Sequence, residues 1–193
     1  MNKQARSYHH GDLRNSLLDA AREILEKEGL GALSLRAVAR HAGVSHAAPY
    51  RHFPSHDDLL AELAVEGFQE LGAALRQAGN VSEPTDEKVA RIGSIYMRFV
   101  AGRPALTRLM FGPQLPQREA FPALAAAAAA IASEIGVALE DPVLGIAVWA
   151  AVHGLAVLIL EDVVDLGQRR AGLNVLPSRA EIVLRSLFTA AQN

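Results

Sequence analysis

The chain has 193 residues, half of them apolar, and a formal net charge of -2. This length makes one or two small domains with a buried core, and the apolar content excludes a largely disordered chain. The sequence has no cysteine, which excludes disulfides, thiolate metal sites and cysteine catalysis and fits a reducing cytoplasm.

Aromatic residues are few, and alanine and leucine abound, so helices are expected almost throughout. Asp12 is placed as the N-cap of a first helix running to about Glu28, with Leu13, Leu17, Ala20, Ala21, Ile24 and Leu25 as its apolar stripe. Gly29 and Gly31 end it. Ser34 caps a second helix, in which Leu35, Val38, Ala39 and Ala42 follow the i, i+3, i+4, i+7 spacing, and Gly43 stops it. Ser45 caps a short third helix through about His52. Pro54 and Ser55 break the chain before a fourth helix from about Asp57 to Gln77. Gly79 to Pro84 reads as a turn-rich connection, and the domain join falls in the fourth helix or just after it.

Asp86 to Gly102 repeats the helical spacing, and Pro104 to Phe111 is a short helix opened by a proline in its first turn. A loop over Gly112 to Arg118 precedes an alanine-rich helix from Phe121 to Gly136. Asp141 to Leu166 reads as one long helix, about 36 Å at 1.5 Å per residue. Gly167 to Ser178 reads as a loop. Ser178 caps a last helix with a stripe of Ala180, Val183, Leu184, Leu187, Phe188 and Ala191. No strand-like alternation and no internal repeat occur, so the expected class is all-α, about nine helices in all.

Two segments carry functional information. Gly29 to His56 contains no acidic residue but holds Arg36, Arg40, Arg51 and four of the seven histidines (His41, His46, His52, His56). Such a segment suits phosphate, where counterion release supplies affinity for DNA; chance clustering is the plain alternative. Pro142 to Leu160 is 19 residues without a formal charge, about long enough to span a bilayer. It carries His153 near its middle and acids at both ends, and a helix apolar all round equally suits a core or an oligomer interface. No membrane partner is expected, and the basic N-terminus has no apolar run behind it to make a secretory signal.

Ser34 to Phe53 fits a helix-turn-helix. Ala39 is small where two helices cross, and Gly43 supplies the permissive backbone of the turn. A short helix then presents Ser45, His46, Ala47 and Ala48 to base edges in the major groove, and its free N–H groups attract phosphate.

GALSLRAVARHAGVSHAAPYRHFPSHDDLL resembles the DNA-binding domain of the TetR family of bacterial repressors, most specifically in AGVS followed by Tyr50, Phe53 and Ser55 at the family's spacing. The W-x-x-x-H-G pattern of Trp149, His153 and Gly154, with YMRFVAGRPALTRLMFG at Tyr96 to Gly112, resembles the subgroup with a WHG-type C-terminal domain. The resemblance implies a three-helix DNA-binding domain over residues 1–58 and a helical effector-binding and dimerisation domain over 59–193. It implies that Tyr50 bonds a phosphate, that Ser34 and Ser45 cap helices and touch phosphate, and that Arg36 reaches backbone or an edge base. His46, Ala47 and Ala48 would face the bases, His46 able to donate to guanine N7 or O6. His52 and His56 complete the expected DNA-facing set. Two positions depart from the family pattern. Pro49 replaces a common aliphatic residue and predicts a short or locally opened recognition helix. His56 replaces a common lysine and is a weaker phosphate partner. Because bound phosphate favours a charged imidazole, DNA affinity is expected to rise as pH falls from about 8 to 6.

The resemblance further implies a homodimer on a palindromic operator of double-stranded DNA. Val143 to Leu160 and Ala180 to Ala191 are expected to pair with their symmetry mates as a four-helix bundle. The central helices would enclose a pocket with a mostly apolar wall for a small hydrophobic or amphipathic effector, whose binding shifts the spacing of the two heads. Tyr96, Phe99, Met110, Phe111, Trp149 and His153 are candidate lining residues, although an aromatic at helical spacing is more often plain core. No G-x-S-x-G, phosphate-binding glycine loop or H-E-x-x-H is present, so no enzyme, cofactor or metal is expected. His9, His10 and Asp12 make a poor metal cluster, since adjacent histidines do not easily aim at one ion. The runner-up reading is a helix-turn-helix protein without small-molecule control, or an activator.

Overall fold

The computed structural model describes residues 10–79, 83–115 and 118–191, and among these it contains nine α-helices and no strand. They are α1 (His10–Glu28), α2 (Leu35–His41), α3 (His56–Gly79), α4 (Thr85–Gly102), α5 (Pro104–Phe111), α6 (Pro122–Leu139), α7 (Pro142–Leu160), α8 (Gln168–Ala171) and α9 (Leu176–Ala191). Single 3₁₀ turns occupy Leu30–Ala32, Pro49–Arg51, Arg118–Ala120 and Leu173–Val175.

The amphipathic stripes decide the packing. Leu17, Ala21, Ile24 and Leu25 of α1 are buried together with Val38 of α2, Phe53, and Leu59 and Leu63 of α3, which makes a small head at the N-terminus. α3 belongs to both halves: its start closes the head, and its length packs on α4, α5 and α6. In the body, α6 lies between α3 and α7, and α4 packs on α7 and α9. Small residues set the closest crossings. A Cβ on Gly145 of α7 would stand 2.6 Å from the backbone of Gly136 on α6, and one on Gly93 of α4 would stand 1.9 Å from Leu184 Cδ1 on α9.

Several boundaries differ from the sequence reading. α1 begins at His10, two residues before Asp12, so Asp12 is not its N-cap. The expected third helix over Ser45 to His52 is reduced to the 3₁₀ turn Pro49–Arg51. Pro49 has no N–H to bond Ser45 O four residues back, and that carbonyl instead accepts from Ala48 N at 3.0 Å. α7 ends at Leu160 rather than Leu166. Asp162 takes the left-handed conformation (φ 56°), and the N–H groups of Val163 and Val164 turn back to Leu158 O, closing the helix. At 19 residues it is about 28 Å long. The last helix starts at Leu176 with Pro177 in its first turn, so Ser178 lies inside it. Its Oγ donates to Val175 O at 3.0 Å rather than capping. Of that helix's expected stripe, Ala180 and Leu184 are buried, while Leu187 faces out; the Ala191 side chain, like residues 80–82 and 116–117 of the expected connections, lies outside the described residues.

α6 and α7 are both long and apolar enough, by length and composition, to cross a membrane. In the fold each buries one face against its neighbours. The other face of α7 carries Val143, Ile146, Val157 and Leu158 exposed, and α9 adds Ile182 and Leu187.

Candidate functional site

Ser34 Oγ accepts the Ala37 N–H at 3.1 Å, the cap that starts α2 after an extended residue. Gly43 then turns the chain at φ 69°, a left-handed conformation that a side chain would strain. Val44 N–H reaches back to Ala39 O at 3.0 Å, so the turn folds onto a fully buried alanine. Beyond it Ser45, His46 and Ala47 stand exposed and Ala48 half-covered, and successive i to i+3 bonds carry the chain through Pro49–Arg51. Ser55 and Asp58 form a reciprocal cap: Ser55 N–H donates to Asp58 Oδ2 (2.8 Å) and Asp58 N–H to Ser55 Oγ (3.1 Å). This cap fixes where α3 begins relative to the turn.

Ser34, Arg36, Tyr50, Ser55 and His56 meet around one open groove of about 350 Å³. The Tyr50 ring is half exposed there. Among the described residues Arg36, Arg40 and Arg51 are exposed and make no ion pair, leaving three cations free on the head. Two histidines are already engaged. His56 Nε2–H donates to Leu33 O at 3.0 Å, with its other nitrogen 4.0 Å from Asp57. His41 Nε2 lies 3.5 Å from Glu23 of α1. The segment that is acid-free in sequence therefore meets acids in space. His52 is apart from the groove; it borders a separate cleft between the start of α3 and Phe121. Ser55, which the sequence marks as a motif residue but not as DNA-facing, also lines the groove, and the Ser55-x-x-Asp58 capping pattern is a second signal of its place.

A second candidate site lies in the body. A cavity of about 430 Å³ opens between α5, the loop after it and the end of α7, where Thr107, Arg108, Phe111, Gln114, His153 and Glu161 contribute to its wall. Phe111 packs on the His153 ring at 4.2 Å between centroids. The Tyr96 hydroxyl lies 2.9 Å from His153 Nδ1 behind that wall. Burial pushes the Tyr96 hydroxyl well above its ordinary range, outweighing the opposite effect of the Trp149 N–H, and burial also pushes His153 down. Trp149, tilted against Phe111, turns its buried indole N–H toward the Tyr96 hydroxyl without closing a full hydrogen bond. Met110 and Phe99 lie in the core instead: Met110 Sδ fills the space beside Gly67, and Phe99 carries the Arg103 guanidinium over its ring. Of the six candidate lining residues, Phe111 and His153 border the cavity, with Tyr96 and Trp149 supporting them. The wall is apolar over most of its surface, and Arg108, Gln114 and Glu161 add polar groups that periodicity does not mark, because they come from helix ends and loops. Among the described residues no three His, Asp or Glu side chains stand together as a metal site. His9 and the side chains of His10 and Asp12 lie outside the described residues.

The fold and the head define a helix-turn-helix of the DNA-binding type, its second helix cut to one turn, mounted on an all-α body. Residues 17–63 match the family described as bacterial regulatory proteins, tetR family, so the N-terminal part of the chain is a TetR-family domain. The chain is 30% identical over 108 residues to the HTH-type transcriptional regulator Rv1816 of Mycobacterium tuberculosis, a match covering 55% of this chain and 46% of that protein. It thus spans about half the length of the curated relatives it matches. Among solved structures, the TetR-family transcriptional regulator PfmR of Thermus thermophilus shares the fold at a TM-score of 0.60 and 21% identity, covering 90% of this chain and 92% of that one. The multidrug binding protein EbrR, solved with imidazole, gives 0.61 and 26% over 90% and 93%. The family and these relatives are regulators and binding proteins, not enzymes.

Proposed function

We propose that this chain is a sequence-specific DNA-binding transcriptional regulator. It acts as a repressor that binds a palindromic operator as a homodimer and is released by a small effector. The observation that carries the reading is the groove gathering Ser34, Arg36 and Tyr50 beside the exposed 45–48 turn, on a TetR-family domain. Tyr50 and Ser34 hold phosphates, and three unpaired arginines add sequence-independent affinity. His46, with Ala47 and Ala48, meets the bases. Residues 1–58 read DNA, and 59–193 dimerise and bind the effector.

The exposed apolar face of α7 and α9 supports the dimer: Val143, Ile146, Leu158, Ile182 and Leu187 need cover, and a second copy supplies it symmetrically. That cover also accounts for α7 being apolar all round without a membrane, in keeping with a cytoplasmic protein. The cavity in the body supports effector binding, as do the W-x-x-x-H-G residues, by which we assign the body to the WHG-type domains. EbrR, solved in complex with imidazole, offers a parallel among similar folds. Footprinting on the DNA beside the chain's own gene tests the reading. Protection of two symmetric half-sites one or two helical turns apart is expected. An unprotected fragment, or protection of a single half-site by a monomer, refutes it.

A further inference from the structure

The cavity between α5 and α7 is specific about the charge of what it holds. Arg108 is its one cationic group, and its guanidinium is occupied: Nε lies 3.2 Å from Glu161 Oε1, and another nitrogen donates to Leu160 O. Arg108 and Glu161 cancel at the mouth. The wall then offers no net charge to a guest, and an ionised guest would enter without a counter-charge.

The remaining polar groups fix the hydrogen bonds a guest can make. The Tyr96 phenol is fully buried, and among the described residues the one acceptor beside it is His153 Nδ1; the nearby indole of Trp149 can only donate. A buried hydroxyl with one available acceptor donates to it, which makes Nδ1 the acceptor and puts the imidazole proton on Nε2. Nε2 has no partner among the described residues and is not sealed from solvent, so that edge of the ring opens to the cavity as a donor. Gln114 also borders the cavity, but its Oε1 is buried and offers no surface to a guest. Phe111, packed on His153, supplies an aromatic floor.

Building on the effector reading, we propose that this cavity binds a small uncharged aromatic molecule with one oxygen acceptor, such as a phenol or an aryl ether. The oxygen accepts from His153 Nε2–H, and the aromatic body lies on Phe111.

Calorimetry on the full chain, without DNA, tests the proposal with four probes of one shape: 4-isopropylphenol, 4-isopropylanisole, 4-isopropylbenzoate and 4-isopropylbenzylamine. The phenol is expected to bind at least tenfold more tightly than the benzoate or the amine. The anisole, which keeps the acceptor and loses the donor, is expected to bind about as tightly as the phenol. His153→Leu should weaken both, and His153→Gln, which can accept from Tyr96 and donate to the guest, should restore part of the loss. Tighter binding of either charged probe, loss of binding by the anisole alone, or no binding by any of the four overturns the proposal; these wild-type comparisons hold even if a variant fails to fold. A gel shift on the footprinted DNA, run in parallel, separates the two readings. Phenol binding without DNA release leaves the ligand class standing and refutes effector control, whereas DNA release by a charged probe alone does the reverse.

Discussion

Glu26 is the side chain by which the head holds the body. From the last turn of α1 its carboxylate accepts the N–H groups of Leu106 (2.9 Å) and Ala105 (3.3 Å) at the start of α5. α5 opens on Pro104, which has no N–H, so Glu26 serves the next two orphan donors of the helix from another element. Loss of a helix N-cap costs about 0.5–2 kcal/mol, and loss of a negative charge at a helix N-terminus adds about 0.3–1 kcal/mol. Glu26→Ala removes both in a part-buried place, so about 2 kcal/mol is expected. Glu26→Gln keeps one acceptor and loses the charge, for about 1 kcal/mol. At about 2–4 °C per kcal/mol for a chain of this size, these are drops in Tm of about 4–8 °C and 2–4 °C by scanning calorimetry. Lys27→Ala, which breaks only an exposed pair with Glu23 one turn back, serves as the control and should melt with the parent. Melting of Glu26→Ala together with that control refutes the reasoning.

On the head, Tyr50→Phe should weaken binding about equally on all DNA sequences, and His46→Ala should relax preference at particular base pairs by about 1–3 kcal/mol; competition binding across an operator library distinguishes the two. A change of preferred sequence in Tyr50→Phe would invert the assigned roles. For Gly145→Ala the new methyl meets the Gly136 backbone at 2.6 Å, which cannot yield as a side chain does, so a loss of about 1–3 kcal/mol is expected in urea unfolding. Gly154→Ala meets nothing within 4 Å in the protomer and should leave the unfolding of the protomer unharmed. Burial holds the folded-state His153 below its ordinary pKa, so the unfolded chain binds more protons near that range. Stability from this group is complete above the ordinary histidine value and is lost as pH falls toward the folded value. Urea midpoints should therefore fall between about pH 7.5 and pH 5.5. His153→Gln should flatten part of that slope, and an unchanged slope in the variant would contradict the burial argument. Tyr96, Arg108 and Glu161 face the same ring or cavity and stay unaltered in the comparison.

Where sequence signals are local and redundant, the fold was readable. α5 has the boundaries that Pro104 and Gly112 mark, and the Ser34 cap and the Gly43 turn stand where propensity puts them. Two of the failures share a cause, which is that one residue overrode a periodic pattern. Pro49 withdrew a single N–H and turned a recognition helix into a 3₁₀ turn. Asp162 accepted the left-handed conformation that glycine usually marks, so the apolar residues Val163, Val164 and Leu166 looked like more helix. The groove on the head was mostly legible because its members lie within one short segment. The cavity was not, because Arg108, Gln114 and Glu161 meet there from distant parts of the chain. Orphaned partners such as Gln114 Oε1 exist only once the chain is folded.

The two sites are joined by elements pinned at both ends. On α3, Glu62, Glu66 and Glu70 recur every four residues on one face and pair in turn with Arg14 and Arg22 of α1 and with Arg103 before α5. Each pair is half exposed and adds little stability alone, but together they fix the register of α1 and α5 along α3. α5 is held at its start by Glu26. At its end, Arg118 donates to Met110 O at 2.7 Å and Arg108 donates to Leu160 O. Between these anchors Thr107, Arg108 and Phe111 face the cavity. A short helix tethered at both ends cannot absorb a guest by bending, since packed interiors shift between discrete arrangements rather than deform. On the proposed function, displacement of Phe111 by a ligand would be passed along α5 to Glu26 and so to α1, against which α2 and its turn pack. Cutting the tether with Glu26→Ala should leave ligand affinity and DNA affinity each within about threefold of the parent while shrinking the effect of one on the other. That effect is reciprocal by linkage, so it can be measured from either side. Full coupling in that variant would move the connection from α5 to α3.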